Sequence, residues 1–269
     1  MSRTQDILWT SGWDSTFQLM RSLVTGTAHL QPIYLVDENR ASTAMELLVM
    51  KRIKQKIRAD LPDRADLLRP VRFVAVSDLL ENENISRAFA AVRNRKRIGI
   101  QYDWLGRFCH QFGVSDLELC IHRDDKAHDV LQHVVEADEG APGTYRVSQR
   151  HAGTAEHDLF KPYTFPVFDL TKLQMKAIAE ELGFAAIMGM TWFCHAPKNG
   201  KPCGTCGPCR YTIDEGLGSR VPAFRRLKGT LSWRMRELAK AGLSTMRLRR
   251  RTEPRSAAAP SYPAARPLQ

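Results

Sequence analysis

The chain has 269 residues, 43% hydrophobic, 26% charged and 8% aromatic, enough for one large α/β domain and a small appendage. These values exclude disorder along the whole length, collagen-like and low-complexity architectures, and a disulfide-stapled mini-protein. The net charge of +11 is unevenly placed: thirteen Lys and Arg against two acids, Glu237 and Glu253, fall between Ser219 and Gln269, and the first 218 residues balance at 27 of each sign. The basic character therefore belongs to a tail rather than to the body. The longest apolar runs, such as Ile33–Val36, fall far short of a membrane span, and no signal-peptide pattern opens the chain, so a cytoplasmic protein without a membrane partner is expected.

In chain order, Asp6–Trp9 reads as a strand and Thr10–Thr16 as a tight polar loop. A helix follows, with Phe17, Leu19, Met20, Leu23 and Val24 at helical spacing and Gly26 at its end. Ile33–Val36 is predicted as a strand, Ala44–Ala59 as a helix, and Val71–Val76 as a third strand. A charged stretch precedes a helix over Tyr102–Phe112, ended by Gly113, and a strand over Leu117–His122. Ala137–Lys161 is expected to be a loop or hairpin. Thr171–Leu182 is a capped helix with Leu173, Met175, Ile178, Ala179 and Leu182 inward and Gly183 at its end. The alternation of strand and helix predicts a parallel sheet covered on both faces. The tail holds one predicted helix, Ser232–Ala241, and a basic knot at Arg247, Arg249, Arg250 and Arg251; from Arg251 onward its composition predicts disorder.

Two motifs carry chemistry. In Cys194-x8-Cys203-x2-Cys206-x2-Cys209 two overlapping C-x2-C steps bring backbone N–H groups to the sulfurs, and four thiolates at tetrahedral reach suit Zn²⁺. A disulfide pair or an iron–sulfur cluster are the other uses of such cysteines. A closed four-cysteine site has no open coordination position, so its metal is structural. Cys109 and Cys120 read as small buried hydrophobes.

The second motif is Thr10-Ser11-Gly12-Trp13-Asp14-Ser15-Thr16. Between a strand and a helix N-terminus it aims N–H donors and the positive end of the helix dipole at one point, where phosphate binds. Thr10, Ser11, Ser15 and Thr16 offer hydroxyls, and Asp14 is placed for a Mg²⁺ contact or for pinning the loop. An ordinary strand–helix turn with Ser15 as N-cap is the plainer reading. The sequence matches neither the P-loop nor the dinucleotide-binding pattern.

Taken together, these residues resemble a family. Thr10–Ser15 is similar to the S-G-G-x-D-S pyrophosphate loop of the PP-loop ATP pyrophosphatases. Pro166-Val167, Leu170-Thr171-Lys172, Glu181-Leu182-Gly183, Thr191-Trp192-x-Cys194 and Pro202-Cys203-Gly204-x-Cys206-x2-Cys209-Arg210 resemble 7-cyano-7-deazaguanine synthase. The resemblance spans Asp6 to about Gly218 and is weakest in the middle.

The charge distribution sets a basic tail over 219–269; the resemblance implies an adenine nucleotide α-hydrolase type of sheet over residues 1–190 and a zinc module over 191–218. It further implies ATP, Mg²⁺ and structural Zn²⁺ as cofactors. The implied reaction is adenylation of 7-carboxy-7-deazaguanine, displacement of AMP by ammonia, and dehydration of the amide to the nitrile. Asp14, Ser15 and Lys172 become the expected catalytic residues, and Thr10–Thr16, with Trp13 as a nucleotide lid, the ATP site. Asp37, Arg40, Gln101, Asp125 and Trp192 become candidates for substrate contact. As the plainer alternatives, Lys172 is a solvated surface charge, Trp192 is module core, Asp125 belongs to a solvated helix start, and Arg210 pairs with Asp214.

The chain departs from the family pattern at Thr10, Ser11, Asp37–Ala41, Gly99–Gln101 and His122–Lys126, mostly on the substrate side. ATP chemistry with a changed substrate or acceptor is therefore expected. The readings are the synthase reaction, conjugation of the deazaguanine acyl group to a protein amine as in bacterial antiphage relatives, and an inactive nucleotide- or RNA-binding module. tRNA thiolation would need an exposed Cys109 or Cys120. The tail is expected to meet RNA or an acidic protein, and a homodimer stays open.

Overall fold

A computed structural model describes residues 4–252, and side chains as far as Leu238 apart from Glu237. The stretch 253–269, for which disorder is expected, lies outside the described residues, as do the side chains of the basic knot at Arg247–Arg251.

The strands are β1 (Thr4–Leu8), β2 (His29–Val36), β3 (Arg72–Ala75), β4 (Leu117–Glu118), β5 (Val135–Ala137), β6 (Tyr145–Val147) and β7 (Tyr163–Phe165). They form one sheet in the order β3-β2-β1-β4-β7-β6-β5. The five strands from β3 to β7 in that order are mutually parallel, with Ile7 opposite both Pro32 and Glu118. β5 and β6 form an antiparallel hairpin on the β7 edge; the segment 137–161, expected to be a loop or hairpin, holds β6 and ends in a short helix over Ala155–Phe160, and β5 begins two residues before it. Because β1 is followed on one side by β2 and β3 and on the other by β4, the β1/β4 boundary is a topological switch point, where a crevice opens at the strands' carboxyl ends.

The helices are α1 (Trp13–Thr25), α2 (Thr43–Asp60), α3 (Pro62–Ala65), α4 (Glu83–Arg95), α5 (Gln101–Phe112), α6 (His128–Leu131), α7 (Ala155–Phe160), α8 (Lys172–Glu181), α9 (Ala185–Met190), α10 (Gly207–Thr212) and α11 (Ala223–Thr252). Alternation along the strands divides the interior into two cores. Ile33 and Leu35 face α4, α5 and α7, whereas Ile7 and Tyr34 face α1, α2, α8 and α9. The helices begin and end on local signals. Thr171 and Gln174 form a reciprocal capping box on α8, and Gly113 closes α5 in the left-handed region at φ 61°.

Four expectations change. α4 occupies the stretch read only as charged: Asn82 accepts from the Ile85 N–H as its cap, and Ala88, Phe89 and Val92 form a buried face among arginines. The β4 ladder stops at Glu118 rather than His122, because the chain turns there toward the crevice. Leu173 is 53% exposed and lies against Gly216 instead of the core. The tail helix runs as one element, α11, straight through Gly242, since a single glycine costs a helix only about 1 kcal/mol.

Beneath the crevice, Glu118 is buried between β1 and α1, where Gln18 Nε2 donates to it at 2.9 Å and Gln5 Nε2 donates to the same oxygen. Burial lifts its pKa to about 7 against the hydrogen bond from Gln18, the charge of Arg21 and the hydrogen bond from Gln5. The native state thus holds a proton that the unfolded chain gives up near pH 4.5. The residue's contribution to stability accordingly falls as pH rises from about 4.5 to about 7. We expect E118Q to gain stability over the parent between pH 5 and pH 8, by at most about 3 kcal/mol. Urea unfolding at the two pH values measures it; a pH-independent difference would show that Glu118 is ionised throughout.

Candidate active site and metal centre

The loop after β1 turns at Ser11, which holds φ 55°. This is the left-handed conformation for which the resembled family uses glycine, and here a serine accepts it. Ser11 is fully buried, its Oγ donates to Glu46 O at 3.2 Å, and its carbonyl accepts from Trp192 N at 2.9 Å. Thr10 and Ser15 face each other, with Oγ atoms 3.4 Å apart and the Thr10 N–H directed at Ser15 Oγ. Gly12 precedes α1, and no side chain among the described residues caps that helix. Its first-turn N–H groups therefore remain open to an anion.

Two loop residues do not stand where they are expected. Trp13 is 7% exposed and part of the core, with the Arg220 guanidinium 5.1 Å above its ring, so it cannot act as a lid. Thr16 is fully buried and its Oγ1 accepts from Trp9 Nε1 at 3.0 Å, which removes it from any phosphate.

Asp14 faces a charged cluster drawn from three other places. Lys172, the first residue of α8, lies 3.9 Å from Asp14 and 2.7 Å from Glu215, which sits in the turn after α10. His122, from the segment leaving β4, approaches Asp14 at 4.0 Å and Glu215 at 3.5 Å. Burial works against the charge on Lys172, but Asp14 and Glu215 outweigh it and hold the ammonium above its usual pKa. For His122 burial again opposes protonation, and the Asp14 and Glu215 carboxylates again prevail, so its pKa is raised. Asp125 lies near the same group; burial raises its pKa against the Ala127 N–H, which donates to its Oδ1 at 2.7 Å. The Asp14 Oδ1 atom is buried without a hydrogen-bond partner among the described residues. A fixed cation, open helix N–H groups and an unsatisfied carboxylate oxygen thus converge at the switch point.

Lys172 is therefore a buried, paired cation rather than a solvated one. His122 and Glu215 carry no separable signal in the sequence. The first stands in a segment noted only for its divergence, and the second beside Asp214, whose pairing with Arg210 at 3.3 Å the structure shows.

The remaining candidates are more dispersed. The Asp37 carboxylate accepts from Asn39 N at 3.0 Å and shapes the turn after β2. Arg40 contacts His195 at 2.7 Å and Glu46 at 3.4 Å, bracing α2 against the cysteine segment. Gln101 is exposed at the start of α5. Trp192 is half-buried; its Nε1 donates to Cys194 O at 2.8 Å and its ring stacks on Phe193.

The four cysteines Cys194, Cys203, Cys206 and Cys209 meet with all sulfurs within 4.8 Å of one another, and none forms a disulfide. Two of the Sγ–Sγ distances are 3.9 Å. Backbone N–H groups of Cys203, Gly204, Thr205 and Cys206 point at the sulfurs from 3.2–3.4 Å. Burial opposes the Cys203 thiolate, yet the Thr205 N–H and hydroxyl and the Cys206 N–H lower its pKa. The donor set fits a metal ion. α11 docks on this module where Gly229 meets Gly204 so closely that a Cβ on Gly229 would stand 1.9 Å from the Gly204 oxygen.

Cys109 and Cys120 are free thiols. Burial pushes Cys109 up to about 12 and Cys120 well above its ordinary pKa, so neither supplies a thiolate near neutral pH.

The molecule is thus an α/β protein with a mostly parallel seven-stranded sheet, a strand–loop–helix turn with an uncapped helix start at its switch point and a four-cysteine cluster able to bind a metal. Residues 145–216 match the family model described as Queuosine biosynthesis protein QueC, and the chain is similar to that family over that segment. The chain is also similar in structure to the U34-tRNA thiolase NcsA from Methanococcus maripaludis with its [4Fe-4S] cluster. The identity is 15% and the TM-score 0.40, over 88% of this chain and 73% of that one. No curated protein matches the chain. Among the described residues no helix is long and apolar enough to cross a membrane.

Proposed function

We propose that the protein adenylates a carboxylate, 7-carboxy-7-deazaguanine in the first instance, and passes the acyl group to a nitrogen nucleophile. The observation that carries this reading is the meeting of Asp14, from the loop after β1, with Lys172 from the QueC-like segment at 3.9 Å. That contact supports reading the Thr10–Thr16 loop and the Leu170-Thr171-Lys172 stretch as parts of one site.

In this reading a carboxylate oxygen attacks the α-phosphorus of ATP and pyrophosphate leaves. The open N–H groups of α1 and the Lys172 ammonium stabilise the departing charge. Asp14 Oδ1, which makes no hydrogen bond among the described residues and lies 4.0 Å from His122 Nε2, would hold Mg²⁺, which would neutralise phosphate charge when bound. Ammonia then displaces AMP to give the amide. A second ATP activates the amide oxygen; AMP departs with that oxygen, and the nitrogen gives up both its protons to leave the nitrile. No protein nucleophile is required, and the raised pKa values of Cys109 and Cys120 fit that.

We assign the four-cysteine cluster to structural Zn²⁺. Four thiolates at about 2.3 Å from one ion stand about 3.8 Å apart, close to the 3.9 Å separations here. A cubane cluster, with one thiolate on each of four irons, would spread the sulfurs further.

A protein amine as acceptor is the second reading, favoured by α11. Its Phe224, Leu227, Leu231, Met235 and Leu238 are 54–78% exposed and fall within an arc of about 80° at 3.6 residues per turn. Lys228 and Arg234 flank that stripe. Ammonia needs no docking surface of this kind.

The test is AMP release and product mass spectrometry with ATP, Mg²⁺ and 7-carboxy-7-deazaguanine, with and without ammonium. Free nitrile formed only with ammonium supports the first reading. AMP release without nitrile, with added mass on a co-purifying protein, supports the second. Absence of AMP release under both conditions rejects both and leaves a binding module.

A further inference from the structure

The loop has a second neighbour besides the charged crevice. A cavity of about 470 Å³ is lined by Met45, Leu48 and Arg52 of α2, by Trp192 and Phe193, and by Arg220; none of Asp14, His122, Asp125, Lys172 and Glu215 lines it. It adjoins the loop directly. Trp192 N binds the Ser11 carbonyl, Trp192 O lies 3.9 Å from where a Cβ on Gly12 would stand, and Arg220 covers Trp13.

Arg220 lies beyond the QueC-like residues and is held in an unusual way. Its guanidinium lies between the rings of Trp13 and Phe193, at 5.1 and 5.0 Å. Its Nη2 donates to both the carbonyl and the hydroxyl of Thr191. Among the described residues no carboxylate comes within ion-pair distance of it. Burial lowers its pKa to about 10 against the charge of Asp14, which acts on it without reaching ion-pair distance, and it stays cationic at neutral pH. A cation that is largely desolvated, oriented and in contact with no carboxylate, with only Asp14 acting on it from beyond ion-pair distance, can receive an anion.

The cavity's walls define which anion. Apolar Met45, Leu48 and Val49 do not suit a polyphosphate, for which the loop and Lys172 already provide. A neutral adenine would leave Arg220 without a counter-charge. The stacked pair Trp192–Phe193, with rings 26° apart, presents a flat surface, and the volume lies in the range of small-ligand sites.

We propose that this cavity is the subsite for the acyl donor, a planar aromatic carboxylate whose anionic end is held by Arg220 beside the phosphate loop. The proposal rests on the adenylation reading and assigns its substrate side to a cavity in which Trp192 and Phe193 of the matched segment meet Arg220 and α2, which lie outside it. Arg220 binds and orients; it takes no proton.

The experiment is equilibrium titration of the full chain, without turnover, by 7-carboxy-7-deazaguanine, by 7-deazaguanine as the uncharged control, and separately by ATP with Mg²⁺. The expected result is that the carboxylate binds better than the control and that R220Q weakens the carboxylate about 10- to 100-fold. R220K should fall between, and ATP affinity should stay within about twofold of the parent. L48W, which fills the cavity from its exposed wall and leaves Arg220 in place, guards against a folding defect and should weaken the carboxylate alike. Equal affinity for carboxylate and control, absence of carboxylate binding, or an R220Q loss confined to ATP would overturn the subsite. Carboxylate binding without AMP release would instead overturn the adenylation reading and leave the subsite standing.

Discussion

K172M is expected to lower AMP release by about 10²–10³-fold while leaving the fold and the metal content intact. Lys172 is buried at the start of α8, 2.7 Å from Glu215 and 3.9 Å from Asp14. Among the described residues its ammonium is the lysine charge that forms an ion pair with Asp14 of the loop. Removing it leaves Glu215 and Asp14 with His122 as their shared partner, beside the incoming phosphates. The loss should therefore appear in kcat and in pyrophosphate exchange, and only weakly in binding of the acyl donor. Breaking a buried ion pair also destabilises the protein, by about 3–5 kcal/mol when the pair is fully buried. K172M/E215Q separates the two effects, because it also neutralises Glu215: stability should return and activity should not. Alanine at Asp14 or Ser15 should abolish AMP release in the same way. Full activity in K172M, or recovery of activity together with stability in the double variant, would remove Lys172 from the chemistry and make it a packing residue.

The residues that could be read from the sequence are those whose role is fixed locally. The cysteine spacing places four sulfurs together whatever surrounds them, because each C-x2-C step turns its own N–H groups toward the sulfurs. The loop before α1 was equally legible as a strand, a turn and a helix N-terminus. What failed depended on neighbours far along the chain. Trp13 looks exposed beside small polar residues, but the core takes it in and Arg220 closes over it. Thr16 offers a hydroxyl that Trp9, on the strand behind, has already taken. His122 and Glu215 gain their meaning only where the β4 exit meets the turn after α10, 93 residues apart in sequence. α4 was hidden because Ala88, Phe89 and Val92 are few among charged residues, and its boundary rests on the Asn82 cap.

Removal of the metal is the other change expected to act on a large scale. An ion held by four cysteines is bound by about 10–16 kcal/mol in small zinc modules, and the segment from Trp192 to α10 has few apolar contacts beyond Trp192, Phe193 and the cysteines. Without the ion, thiols whose sulfurs stand 3.9 Å apart have only weak S–H contacts to hold them. Chelation at neutral pH, or C206S, should therefore unfold the module locally. The consequence reaches the loop, because Trp192 N holds the carbonyl of Ser11, whose left-handed backbone needs outside support. It reaches α11 as well, since that helix rests on Gly204 and Trp233 Nε1 donates to Thr205 O at 3.3 Å. We expect AMP release to fall in step with metal loss, with hydrogen exchange rising at 192–212, along α11 and around Ser11, while β1–β4 keep their protection. Elemental analysis of the untreated protein should give one zinc per chain. Iron and sulfide in equal amounts would replace the single ion with a cluster. Activity that survives complete demetallation would show that the loop holds its geometry without the module.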